Sequence, residues 1–325
     1  MYRIDIPSAA ASLPTPSALG TEGFWTAGVP GTVPATVMDQ DWFNMVQEEL
    51  IAFLTAAGIT HSKSTRNQVL TSVQQLIASG SLGLAGYSTD LLAVPDGTTP
   101  NTKSGVTASE ALLQNASGLV VRAAAVSQSI DYTTTGAGGL DTGALAPNTF
   151  YYEYLIWNPT TSTLKALGST SPTAPTMPSG YTYKVRYASR LTDGSSHFYR
   201  MRKANRETQY LVGTNPTTPF VVASGSAGSI SVPTYTTVSL SSFLPPTARR
   251  FRGVAGCTGA NSSGIAVAPN ASWPGNASTV FGFAANQGAA GANVAIPFDS
   301  VLESLNFFYA SNVSSGFLAV VGYSE

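Results

Sequence analysis

Seven carboxylates lie between Gly118 and Tyr323: Asp131, Asp141, Glu153, Asp193, Glu207, Asp299 and Glu303. Glycoside hydrolysis would need two of them roughly 5–10 Å apart, one to protonate the leaving oxygen and one to attack or to activate water. Asp299 and Glu303 are the nearest pair in sequence, and their spacing suits a bulge or turn as well as a site. Asp131, Asp141 and Asp193 sit beside Gly or Thr in turn-like stretches, where Asp commonly bonds its own backbone. For nucleophilic catalysis there is no Gly-x-Ser-x-Gly elbow, and His61 and His197 have no triad context. His61 falls in a turn and His197 on a strand, both in structural roles. Gly136-Ala137-Gly138 begins like a dinucleotide fingerprint. It lacks the third glycine and a following helix, so no phosphate cradle is expected. Cys257 is the single cysteine, which excludes an intrachain disulfide and makes a small buried hydrophobe the natural reading. No Cys/His cluster has metal-ligand spacing. The sequence therefore predicts no enzyme, no cofactor and no metal site. A polysaccharide-cleaving enzyme is the competing catalytic reading.

Binding chemistry is better represented. Ten of the 16 basic residues fall between Lys184 and Arg252, opposed locally only by Asp193 and Glu207, a balance of +8. Arg200, Arg202, Lys203, Arg249, Arg250 and Arg252 are the candidates for contact with an acidic partner. That partner would be lipopolysaccharide phosphate, an acidic glycan or an acidic neighbouring subunit. The alternative is that these residues are the solvent faces of strands. Nucleic acid is not expected, because neither a recognition helix nor a stacking sheet accompanies the charge. Residues 253–325 contain no Lys or Arg and are aromatic. There, Trp273, Asn270 and Asn276 are candidate receptor contacts, since neutral sugars are recognised by stacking and directional hydrogen bonds. Trp273-Pro274-Gly275 reads as a turn that exposes the ring.

Only 10% of the 325 residues are charged, and hydrophobic content is 43%. The first figure is low against roughly 25% in ordinary globular proteins, and suits a chain buried in a large assembly better than a free monomer. No apolar run approaches the roughly 20 residues that cross a bilayer, so membrane insertion is not expected. Arg3 and Asp5 interrupt any signal-peptide pattern, so synthesis in a cytosol is expected, with release by another route such as lysis. Five Asn-x-Ser sequons, at Asn115, Asn261, Asn270, Asn276 and Asn312, read as chance in an Asn- and Ser-rich chain.

The elements that must position these groups are mostly strands. Residues 1–38 carry Pro7, Pro14, Pro16, Pro30 and Pro34, and predict an extended arm lying along a partner. Trp42, Met45, Val46, Leu50, Phe53, Leu54 and Ala57 form a helical stripe over about 39–57, with Asp39 as N-cap and Gly58 at C′. A second helix fits about 65–78, with a Thr65/Gln68 capping box and Val69, Val73, Leu76 and Ile77 on one face. A lone helical pair cannot bury its apolar face, so Trp42, Phe43, Val46, Leu50 and Phe53 are the candidate anchoring residues. Residues 81–118 read as a linker with short strands and a turn of helix near 109–114. From Gly118 onward the signal is β: Phe150–Trp157, Tyr181–Tyr187, Ser196–Met201, and then Phe220–Ala223, Tyr235–Leu240, Gly253–Cys257, Thr279–Ala284, Leu305–Ala310 and Phe317–Tyr323. The predicted class is mainly β with a small N-terminal helical hairpin, in several β-sandwich-like modules: 1–80 for attachment, 81–118 as linker, 119–209 as a β-module, and 210–325 as a C-terminal β-domain and candidate receptor-binding tip. No fixed internal period supports a solenoid.

Three patches resemble bacteriophage tail-fibre and receptor-binding tail proteins. They are the Met-Tyr-Arg-Ile-Asp start with Pro34-Ala35-Thr36-Val37 running into Asp41-Trp42 and Val46-Gln47-Glu48-Glu49-Leu50; Gly136–Gly143 with Ala174-Pro175-Thr176-Met177-Pro178 and Tyr181-Thr182-Tyr183; and Val301–Tyr309 with Leu318–Tyr323. The resemblance implies an elongated homotrimer in the tail of a virion. Its N-terminal region would join other tail proteins, and its outer domain would meet host glycan or lipopolysaccharide. A baseplate or adaptor subunit without a receptor role, and a tail-spike depolymerase, are the other readings it allows.

Overall fold

The computed structural model describes residues 2–18, 20–80, 86, 88–230, 234–258, 264–273, 283–286 and 293–325. The chain divides into two units, Met1–Gly83 and Leu84–Glu325. The fold is mainly β with a small helical region, as the residue pattern implies.

In the first unit, α1 (Gln40–Ala56) and α2 (Gln68–Gly80) pack together. Asp39 has the extended backbone of an N-cap, although its side chain makes no capping bond. At the other end Gly58 adopts φ +68°, Ile59 N donates to Leu54 O and Gly58 N to Thr55 O. This is a Schellman closure, which satisfies carbonyls that the helix leaves open. The Thr65/Gln68 capping box does not form, and α2 begins three residues later than expected. Gln68 is buried and instead ties down the loop between the helices. Its Nε2 donates to Thr60 O at 2.8 Å and its Oε1 accepts from Ser62 N at 3.1 Å. The arm also departs from expectation, because it is fastened to the chain's own helices. Arg3 makes a two-pronged bond to Glu48, Ile4 N donates to Gln47, Lys63 pairs with Asp5, and Ser17 N donates to Asp41.

The second unit begins with β1 (Ser88–Thr89), β2 (Leu92–Pro95), β3 (Lys103–Gln114) and β4 (Val120–Asp131). It continues through β5 (Phe150–Asn158), β6 (Thr163–Ser169), β7 (Tyr183–Leu191), β8 (Met201–Ala204) and β9 (Glu207–Tyr210). Then follow β10 (Phe220–Ser224), β11 (Thr236–Ser239), β12 (Arg250–Thr258), β13 (Gly264–Ala268), β14 (Phe283–Asn286), β15 (Asn293–Val301), β16 (Asn306–Ser311) and β17 (Phe317–Ser324). Residues 109–114, read as a turn of helix within a linker, are the end of β3. That strand pairs with β4 from Lys103 to Gln114, and this ladder overrides the local helix preference of Glu110-Ala111-Leu112-Leu113-Gln114. The expected strand at 279–284 falls partly outside the described residues; β14 occupies 283–286.

Thirteen strands form one antiparallel sheet in the order β15-β12-β17-β9-β8-β2-β3-β7-β5-β6, with β1 and β4 on β3 and β10 on β17. It runs through residues 209 and 210 without a break, through β8, β9 and β17. The strip β4-β3-β7-β5-β6 curls until β6 lies beside β4. The Gly-rich loop sews that seam: Asp131 N donates to Gly138 O, Gly138 N to Ala166 O and Gly168 N to Gly139 O. A side chain at Gly139 would strike the Thr134 carbonyl, so this loop needs glycine for close backbone approach. The curl encloses a core of Val106, Leu113, Ile130, Tyr151, Leu155 and Phe198. At the other end β11-β16-β13-β14 form a second sheet. Val238, Ile265, Val267 and Phe307 from it meet Phe251, Leu318 and Val320 from the large sheet, a β-sandwich core with Phe251 and Phe307 ring centroids 5.0 Å apart.

Candidate functional site

Three regions carry chemistry: the apolar surface of the first unit, the basic belt of the second, and a buried ionic knot beneath that belt. In the first unit Ile51 and Leu54 are the fully buried positions of α1. Of the candidate anchors, Trp42, Phe43 and Phe53 are 41, 46 and 42% exposed, and Val46 and Leu50 are half-buried. Trp42 meets Trp25 and Phe43 edge-on at 5.5 and 5.4 Å between ring centroids. Leu13, Pro14, Pro16, Trp42 and Met45 line a groove of 430 Å³. In the same unit Phe24 is 98% and Val37 82% exposed.

The basic belt is less free than its sequence suggests, because acids arrive from distant strands. Glu325 takes Lys203 at 2.7 Å and stands 4.0 Å from Arg186. Asp299 takes Arg250 and Glu207 takes Arg252, each at 2.9 Å. Three acids from outside the stretch, Glu153, Glu325 and Asp299, therefore meet part of the +8 balance. Among the described residues, Arg200, Arg202, Arg206 and Arg249 have no acid partner within 4.0 Å. Arg200 Nε is buried and unpaired.

Beneath the belt, Glu153 interrupts the aromatic strand β5 at 0% exposure. Its Oε1 accepts Arg190 Nε at 2.6 Å, Tyr132 OH at 2.6 Å and Ser104 Oγ at 2.5 Å. Arg190 Nη1 also donates to Met201 O at 3.3 Å. Burial pushes Tyr132 and Tyr187 well above the usual tyrosine range, and the Glu153 charge adds to it. Ser189 and Tyr323 hydroxyls bond at 2.8 Å, joining β7 to β17. Beside the knot, this hydroxyl pair fastens the curled half of the sheet to the sandwich half.

A cleft of 780 Å³ opens beside Lys203 and Glu325. Burial works to raise the Glu325 pKa, but the Lys203 charge and the bonds from Lys203 and Thr247 outweigh it, so the carboxyl is held low and ionised. Arg206, Asn205 and Arg186 also line this cleft. Arg186 and Arg206 belong to the basic belt but not to the six residues singled out in it, and Asn205 carried no signal. The signal that could have marked Arg206 out within the belt is the Asn205-Arg206 turn between two short strands.

The remaining acids bond within the chain. Asp131 is held down at about 2 by Lys103, then by the Thr133 hydroxyl and amide. Asp141 accepts Ser169 Oγ and Thr176 N, and Asp193 caps the turn at Ser195 and His197. Asp299 and Glu303 face separate partners, Arg250 and Asn270. Asn270 spends its amide on Glu303 and on Ser272 N, while Trp273 is half-buried rather than fully presented. Asn276 lies outside the described residues. Cys257 is buried, which raises its thiol pKa. Among the described residues no helix is long and apolar enough to cross a membrane, and no cluster of acids, His and Cys has the makings of a metal site.

No family model matches the chain, and no solved structure matches it. An 80-residue stretch, 24% of the chain, is 39% identical to the uncharacterized protein StfP of Escherichia coli (strain K12), and it covers 36% of that protein's length.

Proposed function

We propose that the protein is a structural component of a bacteriophage tail, a fibre that attaches the particle to the host surface and catalyses no reaction. The observation that carries this reading is the uncovered apolar surface of the first unit. Trp25, Trp42 and Phe43 touch one another and stay 41–47% exposed, and exposed apolar patches mark interaction sites. Trp25, Phe24, Val37, Trp42 and Phe43 are the surface that other tail proteins would cover, in a homotrimer made in the host cytoplasm and incorporated into the virion. Asp131, Asp141, Asp193, Asp299 and Glu303 are each engaged with a structural partner, which supports a non-catalytic role. The second unit would then face the host glycan or lipopolysaccharide.

A structural baseplate or adaptor subunit is the second reading, favoured by the internal pairing of Lys203, Arg250 and Arg252. One experiment tests the anchoring that both share, and a second separates them. Deletion of residues 1–83 is expected to leave a soluble β-body absent from particles, and its incorporation would sink the anchoring role. Fluorescent full-length protein is expected to label host cells; unlabelled cells would leave only the structural subunit. New reducing ends from host polysaccharide would instead reveal a depolymerase.

A further inference from the structure

The end of β17 lies between β9 and β12. Ser324 is the register partner of Glu207 on one side and of Arg250 on the other. One residue further, Glu325 N donates to Arg206 O at 3.2 Å, while Arg249 N donates to Ser324 O at 2.7 Å. The backbones of Arg206, Glu325 and Arg249 thus lie side by side in three neighbouring segments, and all three residues line the same cleft. The carboxylate in the middle does not serve either neighbour. Its Oε2 takes Lys203 at 2.7 Å and its Oε1 takes Thr247 at 2.5 Å. Both flanking guanidiniums are exposed and, among the described residues, without an acid partner within 4.0 Å.

Four cationic and two acidic side chains line the cleft there, a formal excess of two positive charges. Asp90 is already bonded to Ser109 Oγ at 2.7 Å. Asn205 sits at φ +52° in the β8–β9 turn, locked to Leu91 by its own N–H at 2.8 Å and by Oδ1 at 3.2 Å. That leaves the Asn205 amide NH₂ for a ligand, beside the hydroxyls of Ser88 and Thr89. A planar guanidinium fork matches carboxylate and phosphate alike, and the neutral donors suit ring hydroxyls. The volume of 780 Å³ falls in the range that small-ligand sites occupy.

The geometry points to an anion subsite for an acidic saccharide, its carboxylate or phosphate oxyanion bridged by Arg206 and Arg249. This deepens the host-attachment reading and rests on it for the saccharide.

The test is calorimetric titration of the full chain with trigalacturonate, glucose 6-phosphate, neutral galactotriose and inorganic phosphate. At least one acidic sugar is expected to bind, more weakly as salt rises, and to lose about tenfold to a hundredfold in an Arg206→Gln/Arg249→Gln variant. Both side chains are exposed and unpaired, so the variant should melt with the wild type; if it does not, Arg206→Gln alone serves. Lys165→Gln, an exposed charge on the far edge strand, should leave binding unchanged. Binding of galactotriose as tight as that of the acidic sugars overturns the proposal. So does an inorganic phosphate affinity equal to theirs, full affinity in the double variant, or no binding of either acidic sugar. Cell labelling and particle incorporation report on the attachment reading separately, so failure of the subsite is distinguishable from failure of that role.

Discussion

Replacing Arg190 by Met tests the buried knot. Glu153 and Arg190 are 0 and 3% exposed in side-chain terms, so water cannot compensate for a lost partner. Without Arg190, Glu153 keeps Tyr132 OH and Ser104 Oγ on Oε1, and Oε2 has no partner among the described residues. Leaving one charge of a buried pair uncompensated costs about 3–5 kcal/mol. The Met201 carbonyl loses a donor as well, at about 1 kcal/mol. Set against a typical total of about 5–15 kcal/mol, this is a large fraction of the fold's stability. Adding Glu153→Gln removes the stranded charge, and the double variant should return to within about 1 kcal/mol of wild type or exceed it. Guanidinium unfolding followed by near-ultraviolet circular dichroism would read the transition, since Tyr151 and Tyr154 are buried in the same unit. A loss below about 1 kcal/mol for Arg190→Met, or a double variant costing as much as the two singles together, would refute the reasoning.

The two tyrosines near the knot should behave oppositely. Tyr132→Phe removes a donor to a buried carboxylate and should cost about 1.5–3 kcal/mol, whereas Tyr187→Phe removes a hydroxyl with no partner and should be neutral or stabilising, as denaturation midpoints will show. Asp131 has a folded pKa of about 2 against an ordinary 3.8, so its contribution is complete above about pH 4 and disappears as pH falls towards 2. Melting curves of Asp131→Asn should lie below wild type at neutral pH and converge with it near pH 2. Leu54→Ala, at a fully buried site of the helical unit, should cost that unit about 2–5 kcal/mol, seen as lost helical ellipticity at lower denaturant while the β signal persists.

Local pattern was a sound guide wherever neighbours in sequence are also the interaction partners. The end of α1 follows from Gly58, because its closure acts over a few residues, while Asp39 marks the start by its extended backbone alone. Phe150–Asn158 is legible as a strand from its aromatic and branched run. Strands that lack such a signature were missed. β13 is buried along its whole length and shows no alternation, and the small residues of β3 hide its period. The Gly136-x-Gly138 loop announces a special backbone, yet its task of joining β4 to β6 requires knowing that those strands come together.

The charge belt shows the division most sharply. Composition along the chain establishes that Lys and Arg cluster between 184 and 252, and nothing in that stretch tells which of them are neutralised. Glu325 reaches Lys203 across 122 residues, and Asp299 reaches Arg250 across 49. Antiparallel pairing brings those strands side by side, and the contact is then made on the diagonal: Asp299 stands opposite Arg252 in the ladder yet bonds Arg250, two residues along. The same pairing places Arg206 and Arg249 on either side of a carboxylate already bound elsewhere. Ionic pairing falls off with distance in space and ignores distance along the chain, so the candidate site became visible only once the strands were assembled.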